Sequence, residues 1–277
     1  MKRKNAIILT ILLIFSILIT VSCGKKKDDN ILRVGMECGY APYNWSQSDD
    51  SNDAAPIADS KDFANGYDVM MAKYLADKMD MTVVVYKIDW DALPVALQSG
   101  KVDCVIAGQS ITSDRLETVD FTTPYYYASI VTLIKQDSKY GSAESIQDFA
   151  GAKATSQLNT VWYDVLDQIP QVNMLPPMET VPNLLIALDS GKVDLIVVDL
   201  PTAMAALEVY PDFKMMSFGE TGGYDVSEEE INIGISVKKG NSELLNSLNE
   251  GLKTLTTDDF DSFMKKAIEI QPLSNIE

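Results

Sequence analysis

Histidine does not occur anywhere in the 277 residues. That removes Ser–His–Asp and Cys–His catalysis and histidine-based metal centres, along with the commonest general base of enzymes. Cysteine is nearly as scarce, with Cys23, Cys38 and Cys104 as the full set. Positive charge is short too, because 23 Lys and Arg face 40 Asp and Glu, for a net charge of −17. Such a surface repels phosphate backbones, which argues against a nucleic-acid partner. A calcium loop is also missing. Asp49, Ser51 and Asp53 alternate as such a loop would, but Ala54 and Ser60 stand where it needs Gly and Glu. No motif calls for a metal or another cofactor. Beyond the first 21 residues, no apolar run is long enough to cross a bilayer.

The one long apolar run, residues 6–21, follows Lys2, Arg3 and Lys4 and ends in Ser22-Cys23-Gly24. It resembles a bacterial lipoprotein signal peptide (residues 1–22) that is cut before Cys23, leaving the thiol to carry lipid. Thr20 departs from the Leu usual in such signals. Residues 23–30 read as a polar tether, which would leave the remainder lipid-anchored at the outer face of the cytoplasmic membrane. That remainder is long enough for one large domain or two modest ones, and an apolar fraction of 46% over the whole chain supplies a core.

The chain repeats itself. Ala-Leu-Gln-Ser-Gly-Lys-Val-Asp-Cys-Val-Ile-Ala-Gly (96–108) returns as Ala-Leu-Asp-Ser-Gly-Lys-Val-Asp-Leu-Ile-Val-Val-Asp (187–199), 91 positions later. Each copy reads as a helix end, a left-handed Gly stop (Gly100, Gly191) and a buried strand. The strands, 104–107 and 195–198, are continuously apolar, which suits a mostly parallel sheet covered on both faces. Further strands are expected over 32–37, 82–86, 130–134 (crossing between lobes), 152–155, 214–217 and 231–237, with helices between them. The pattern predicts an α/β fold of two similar lobes. Residues 46–61 lack periodicity and read as a mobile surface insertion.

Ligands of open α/β sheets sit beyond the carboxyl ends of the strands. Three loops there carry suitable chemistry. Tyr40 and Tyr43 flank Pro42; Ser110, Thr112 and Arg115 follow the first copy; Asp199 ends the second. Arg115 has the planar fork for a carboxylate, and Asp199 could hold an ammonium. Equally, Arg115 could pair with Asp120 or Glu117, and Asp199 could cap a helix ahead of Pro201.

The string Ala-Gly-Gln-Ser-Ile-Thr-Ser-Asp-Arg-Leu-Glu-Thr-Val-Asp-Phe-Thr-Thr-Pro-Tyr (107–125) resembles the signature of solute-binding protein family 3, the polar amino-acid receptors of ABC importers. Tyr40-Ala-Pro-Tyr43, Gly66-Tyr-Asp68, Trp90 with Leu93-Pro94, and Gln157-Leu-Asn-Thr160 fall in the family's order. The resemblance implies a monomeric, two-lobed periplasmic-binding-protein-like fold of type II, with two crossing strands as hinge. The lobes would comprise 31–131 with 220–277, and 132–219. An amino acid and an ABC permease would be its partners. By matching position, Arg115 would bind the ligand carboxylate with Thr112 and the Thr160 N–H. Asp199, with the region of Gly108 and Ser110, would take the ammonium. Tyr40 and Trp90 would sandwich the ligand side chain, with Glu37 at its far end and Gln157 in the adjoining turn. Asn159 replaces the usual Gly of that turn, and Asn tolerates the left-handed region. Gln109 replaces a common Met.

Glu37, Tyr40 and Trp90 make a cage with one anionic corner, which suits a cationic amino acid, although a neutral one such as Gln or cystine also fits. Two other readings remain: a dehydratase of cyclohexadienyl type on the same scaffold, with Glu37 as its acid or base, and a ligand-sensing signalling partner. If the strands before Cys38 and at Cys104 are adjacent and parallel, four residues of rise separate the cysteines by about 13 Å. A disulfide needs its Cα atoms within about 7 Å, so both are expected as free, buried thiols.

Overall fold

The computed structural model describes residues 30–219 and 221–272. The signal-like start, Cys23 and residues 23–29 of the tether lie outside the described residues. Two five-stranded sheets dominate. In the first, the order is Thr82–Lys87, Ile31–Met36, Cys104–Val105, Ser236–Lys238, Val119–Phe121. In the second, it is Asn173–Met174, Lys153–Thr155, Leu195–Asp199, Ile130–Lys135, Phe213–Met216. Strand by strand the two sheets have the same plan, which is that of an α/β protein with two lobes. Each has two parallel pairs, then two antiparallel pairs. In each sheet four strands run the same way and one runs against them, so the sheets are mostly parallel as expected, with a single reversed strand. The reversed strands are Ser236–Lys238 and Ile130–Lys135, each the strand by which the chain enters that sheet after crossing between lobes, and both antiparallel pairs of each sheet come from it.

The crossing lies in a two-stranded ribbon, Tyr126–Tyr127 paired with Asn232–Ile233. Ile130–Lys135, expected to cross, belongs wholly to the second sheet. The strand expected over 231–237 is broken at Gly234, where a Cβ would stand 2.7 Å from the Ile111 side chain.

The repeat explains the shared plan. Gly100 and Gly191 both take left-handed backbone, φ 75° and 70°. The following Val102 and Val193 are each 2% exposed. Their hydrogen bonds correspond one for one. Lys101 and Lys192 N–H donate to Ala96 and Ala187, and Asp103 and Asp194 N–H to Arg33 and Lys153. The Leu195–Asp199 strand is buried at every residue, as continuous apolarity requires of a strand covered on both faces. Each of its fully buried aliphatic side chains contributes about 1.5–3 kcal/mol.

Residues 46–61 are not a loose insertion. Gly39–Tyr40, Asn44–Gln47, Phe63–Asn65 and Ala55–Pro56 form a four-stranded sheet in that order. Ala54, Ala55 and Ile57 are buried, and Ile57 bridges to Val85 of the first sheet. Three scattered apolar residues anchor a segment whose polar majority hides them from any periodicity. Cys38 and Cys104 are free and buried, and Val34 pairs with Cys104, so four residues of strand separate the thiols as expected.

Candidate functional site

The strand ends of the two lobes face each other. Glu37 follows Ile31–Met36, Gly108 closes the first repeat copy, Gln157 and Thr160 follow Lys153–Thr155, and Asp199 ends the second copy. At these strand ends, among the described residues, four side-chain hydrogen bonds bridge the lobes. Tyr40 Oη donates to Asp199, Trp90 Nε1 to the Leu158 carbonyl (2.9 Å), an Arg115 Nη to the Asn159 carbonyl (2.8 Å), and Gln157 Nε2 to Glu37 (3.1 Å). The arrangement is closed.

Asp199 is 1% exposed and caps the Leu200–Val209 helix, accepting from the Thr202 N–H (2.9 Å) and hydroxyl (2.8 Å). Both alternatives read from the sequence concern the same carboxylate, since the cap leaves it at the interface with Tyr40. Burial raises its pKa, and the hydrogen bonds from Tyr40 and Thr202 oppose that rise. The Tyr40 ring stacks on Tyr43 at 4.8 Å. It also lies against Gly108, where φ is +59° and a Cβ would stand 2.6 Å from the ring. Only glycine suits that position.

Arg115 is half-buried in the Ser113–Thr118 helix, capped by the Thr112 side chain through the Arg115 N–H (3.4 Å). Its guanidinium donates to the Ser110 carbonyl (2.8 Å) and lies 5.4 Å from the Trp90 ring centre. Neither Asp120 nor Glu117 claims it: Asp120 pairs with Lys239 at 3.0 Å. Burial draws its pKa down to about 10, so it stays cationic at neutral pH. Thr160 is buried at the head of the Val161–Asp164 turn of helix, its hydroxyl on the Gln157 carbonyl (2.7 Å). Asn159 is left-handed at φ 57°, as its place in that turn requires.

Between the lobes lies a cleft of about 330 Å³, lined by Glu37, Cys38, Lys87, Trp90, Leu158 and Glu179 among others. Glu37 is 8% exposed and has one oxygen on Gln157 and the other, Oε1, without a partner. Burial pushes its pKa up to about 7. Asp89, Asp91 and Glu179 also line the cleft, against the single cation Lys87. Of the ten residues read from the sequence, Glu37 and Trp90 line this cleft and Gln157 touches Glu37. Tyr40, Gly108 and Asp199 form a second cluster, and Ser110, Thr112 and Arg115 a third that meets the cleft through Trp90. Asp89 and Glu179 were missed. Asp89 could have been suspected beside Trp90, whereas nothing local marks Glu179. Wider grooves lie away from these strand ends, one of about 800 Å³ along the Ser242–Leu252 helix and one of about 630 Å³ along the Tyr67–Asp77 helix. Among the described residues no acidic or cysteine cluster could hold a metal, and no helix is long and apolar enough to cross a membrane.

Comparison with known proteins bears on the family and the fold. The profile of the bacterial extracellular solute-binding proteins, family 3, matches residues 32–269. A "probable histidine-binding protein" of Campylobacter jejuni is 27% identical over 92% of this chain and 95% of its own. The L-cystine-binding protein TcyJ of Escherichia coli is 26% identical, over 84% of this chain and 80% of its own. The solved structure of an ancestral arginine-binding protein bound to arginine is 30% identical and superposes with a TM-score of 0.69, covering 86% of this chain and 97% of that one.

Proposed function

Because this chain belongs to the bacterial extracellular solute-binding proteins, family 3, we propose that it is the extracytoplasmic receptor of an ABC importer, closing two lobes over a cationic amino acid. The observation that carries the choice of ligand is the cleft, where a buried Glu37 with a partnerless oxygen is ringed by Asp89, Asp91 and Glu179. A cationic side chain would supply the missing partner, with Trp90 as its aromatic wall. The named relatives are a "probable histidine-binding protein", an L-cystine-binding protein and an arginine-binding protein, a range that includes both charged and neutral side chains. Arg115 takes the ligand carboxylate with Thr112 and Thr160. Asp199 takes the ammonium, displacing the Tyr40 hydroxyl, beside Gly108 and Ser110. The Tyr126–Tyr127 and Asn232–Ile233 ribbon is the hinge; it lies a few residues before the first boundary read from the sequence, 131/132, and about a dozen residues beyond the second, 219/220. Its second strand is bonded to the site loop, Ile111 N–H to the Asn232 carbonyl (2.9 Å) and Gly234 N–H to that of Gln109 (3.0 Å), so hinge motion moves the ligand loop.

The receptor is a monomer without catalytic activity, tethered to the membrane by lipid on Cys23 and handing its ligand to a permease. The test is a thermal-shift screen of refolded, ligand-stripped protein against the common amino acids with ornithine and cystine. Ligand at a thousand times its Kd stabilises by about 4 kcal/mol, roughly 8–16 °C at this size. We expect arginine, lysine, ornithine or histidine to give the largest shift. A larger shift with a neutral amino acid discards Glu37 as selector, and no shift with any amino acid discards the receptor reading.

A further inference from the structure

Asp68 is 0% exposed and lies beneath the site without being assigned any ligand. Its donors are neutral. Tyr125 Oη donates to one carboxylate oxygen (2.6 Å) and Asn44 Nδ2 to the other (2.7 Å). Both donors also hold a backbone group of a site loop. Tyr125 Oη accepts from the Gly108 N–H (3.1 Å), and Asn44 Oδ1 accepts from the Cys38 N–H (2.7 Å). Gly108 also faces the carboxylate closely enough to favour its charged form, while burial pushes the pKa up to about 6.

The two pinned residues share a backbone feature. Cys38 and Gly108 are both left-handed, at φ 54° and 59°. For Cys38, which carries a Cβ, that region costs about 1–2 kcal/mol and persists only when its surroundings impose it. Cys38 sits between Glu37 and Gly39–Tyr40, and Gly108 is two residues ahead of Ser110. One buried carboxylate thus grips two turns from two separate strands, and the Tyr40 ring packed on Gly108 joins their outer ends.

We propose that Asp68 is a positioning residue of the binding site. Through Asn44 and Tyr125 it holds the turns at Cys38 and Gly108, and so sets Glu37, Tyr40 and Ser110 in register before ligand arrives. The inference rests on the receptor reading for its consequence, but its mechanical part stands without ligand. Preformed turns cut the ordering cost of binding, so losing either arm weakens affinity beyond any loss of stability.

The experiment compares Asn44→Ala, Tyr125→Phe and Asp68→Asn, using residue-resolved amide hydrogen exchange without ligand and L-arginine binding by calorimetry. Asn44→Ala is expected to speed exchange at Cys38 but not at Gly108, and Tyr125→Phe the reverse. Asp68→Asn, if folded, speeds both. Each single-arm variant weakens L-arginine binding about tenfold, the effect of one unsatisfied buried group. Tyr224→Phe is the control, since it removes a hydroxyl bonded to Thr132 (2.9 Å) in the other lobe. It should lower Tm comparably and leave binding intact. Unchanged exchange at both amides overturns the proposal, as does affinity that falls no further than in Tyr224→Phe. If wild-type protein binds no amino acid, the receptor reading fails, and the exchange pattern alone decides the role of Asp68.

Discussion

The two copies of the repeat reach the same point in their sheets and end differently. Position 108 is Gly and position 199, its equivalent, is Asp. Up to those residues the helix stop, the buried Val and the hydrogen bonds to the neighbouring strand agree. At the end, the first copy offers a gap and the second a capped carboxylate. Tyr40 uses both, its ring in the gap at Gly108 and its hydroxyl on Asp199. A repeated unit thus underlies two lobes of one plan, and a difference of one side chain at equivalent positions gives their interface its polarity.

Breaking the second copy's end should have the largest effect. Asp199→Ala removes a helix cap, worth about 1 kcal/mol, and strands the buried Tyr40 and Thr202 hydroxyls at about 1–3 kcal/mol more. We expect a stability loss of about 3 kcal/mol by denaturant unfolding. Calorimetry should show arginine binding weakened at least a hundredfold, because the ammonium loses its only proposed counter-charge. Breaking the first copy's end comes next. Gly108→Ala combines a left-handed φ with a Cβ 2.6 Å from the Tyr40 ring. It should cost about 2 kcal/mol of stability and move Tyr40, weakening binding some thirtyfold. Tyr40→Ala in the same background should recover part of the stability by opening the gap. If it recovers none, the ring is not what Gly108 accommodates.

Much of this comparison was legible in the sequence. The repeat is visible as letters, the Gly stops and continuous apolar strands have direct backbone meanings, and Asn159 in a turn that asks for Gly announces its left-handed φ. What could not be read depends on contacts between distant parts of the chain. Tyr40 meets Asp199 across 159 positions, and Gln157 meets Glu37 across 120. No periodicity encodes such pairs. Glu179 was invisible for the same reason, since a carboxylate just before a helix reads as solvated surface until the opposite lobe turns it toward a cleft. The direction of the returning strands was hidden as well, because a short buried strand has the same composition whichever way it runs.

Within the first lobe, the cleft carboxyl and the buried carboxyl beneath it separate by pH. Glu37 titrates near 7 in the folded protein against an ordinary value of 4.5, so below about 4.5 both folded and unfolded states carry the proton. Between 4.5 and 7 the folded state binds more protons, and the stability of ligand-free protein should fall as pH rises through that window. Asp68, near 6 against 3.8, adds a fall at lower pH. A cationic ligand draws the Glu37 proton off, so arginine affinity should rise with pH, by about tenfold between pH 6 and 7.5, and then level. Glu37→Gln should flatten the affinity profile and the upper part of the stability profile, leaving the Asp68 part in place. Calorimetry in buffers of different ionisation enthalpy should show proton release near pH 7 for arginine and much less for glutamine. Equal release for both would separate Glu37 from ligand charge.

The smallest expected effect lies where the copies are most alike. Asp103 and Asp194 each accept a backbone N–H from the neighbouring strand, Arg33 at 3.0 Å and Lys153 at 2.9 Å. Arg33 adds a side-chain fork to Asp103, with bonds of 3.1 and 2.8 Å in a partly buried setting. Lys153 has only a point charge on a flexible stem, which cannot reproduce that geometry. The backbone bond is therefore the shared device that fixes strand register, and the fork is an addition of the first lobe alone. Arg33→Lys should cost about 0.5–1 kcal/mol, a Tm drop of about 1–4 °C, with ligand affinity unchanged. Asp103→Ala and Asp194→Ala should each cost more than Arg33→Lys, since each releases a backbone N–H that register depends on. If instead Arg33→Lys proves as damaging as Asp103→Ala, the first lobe is held by its ion pair, and the likeness of the two copies stops at their backbones.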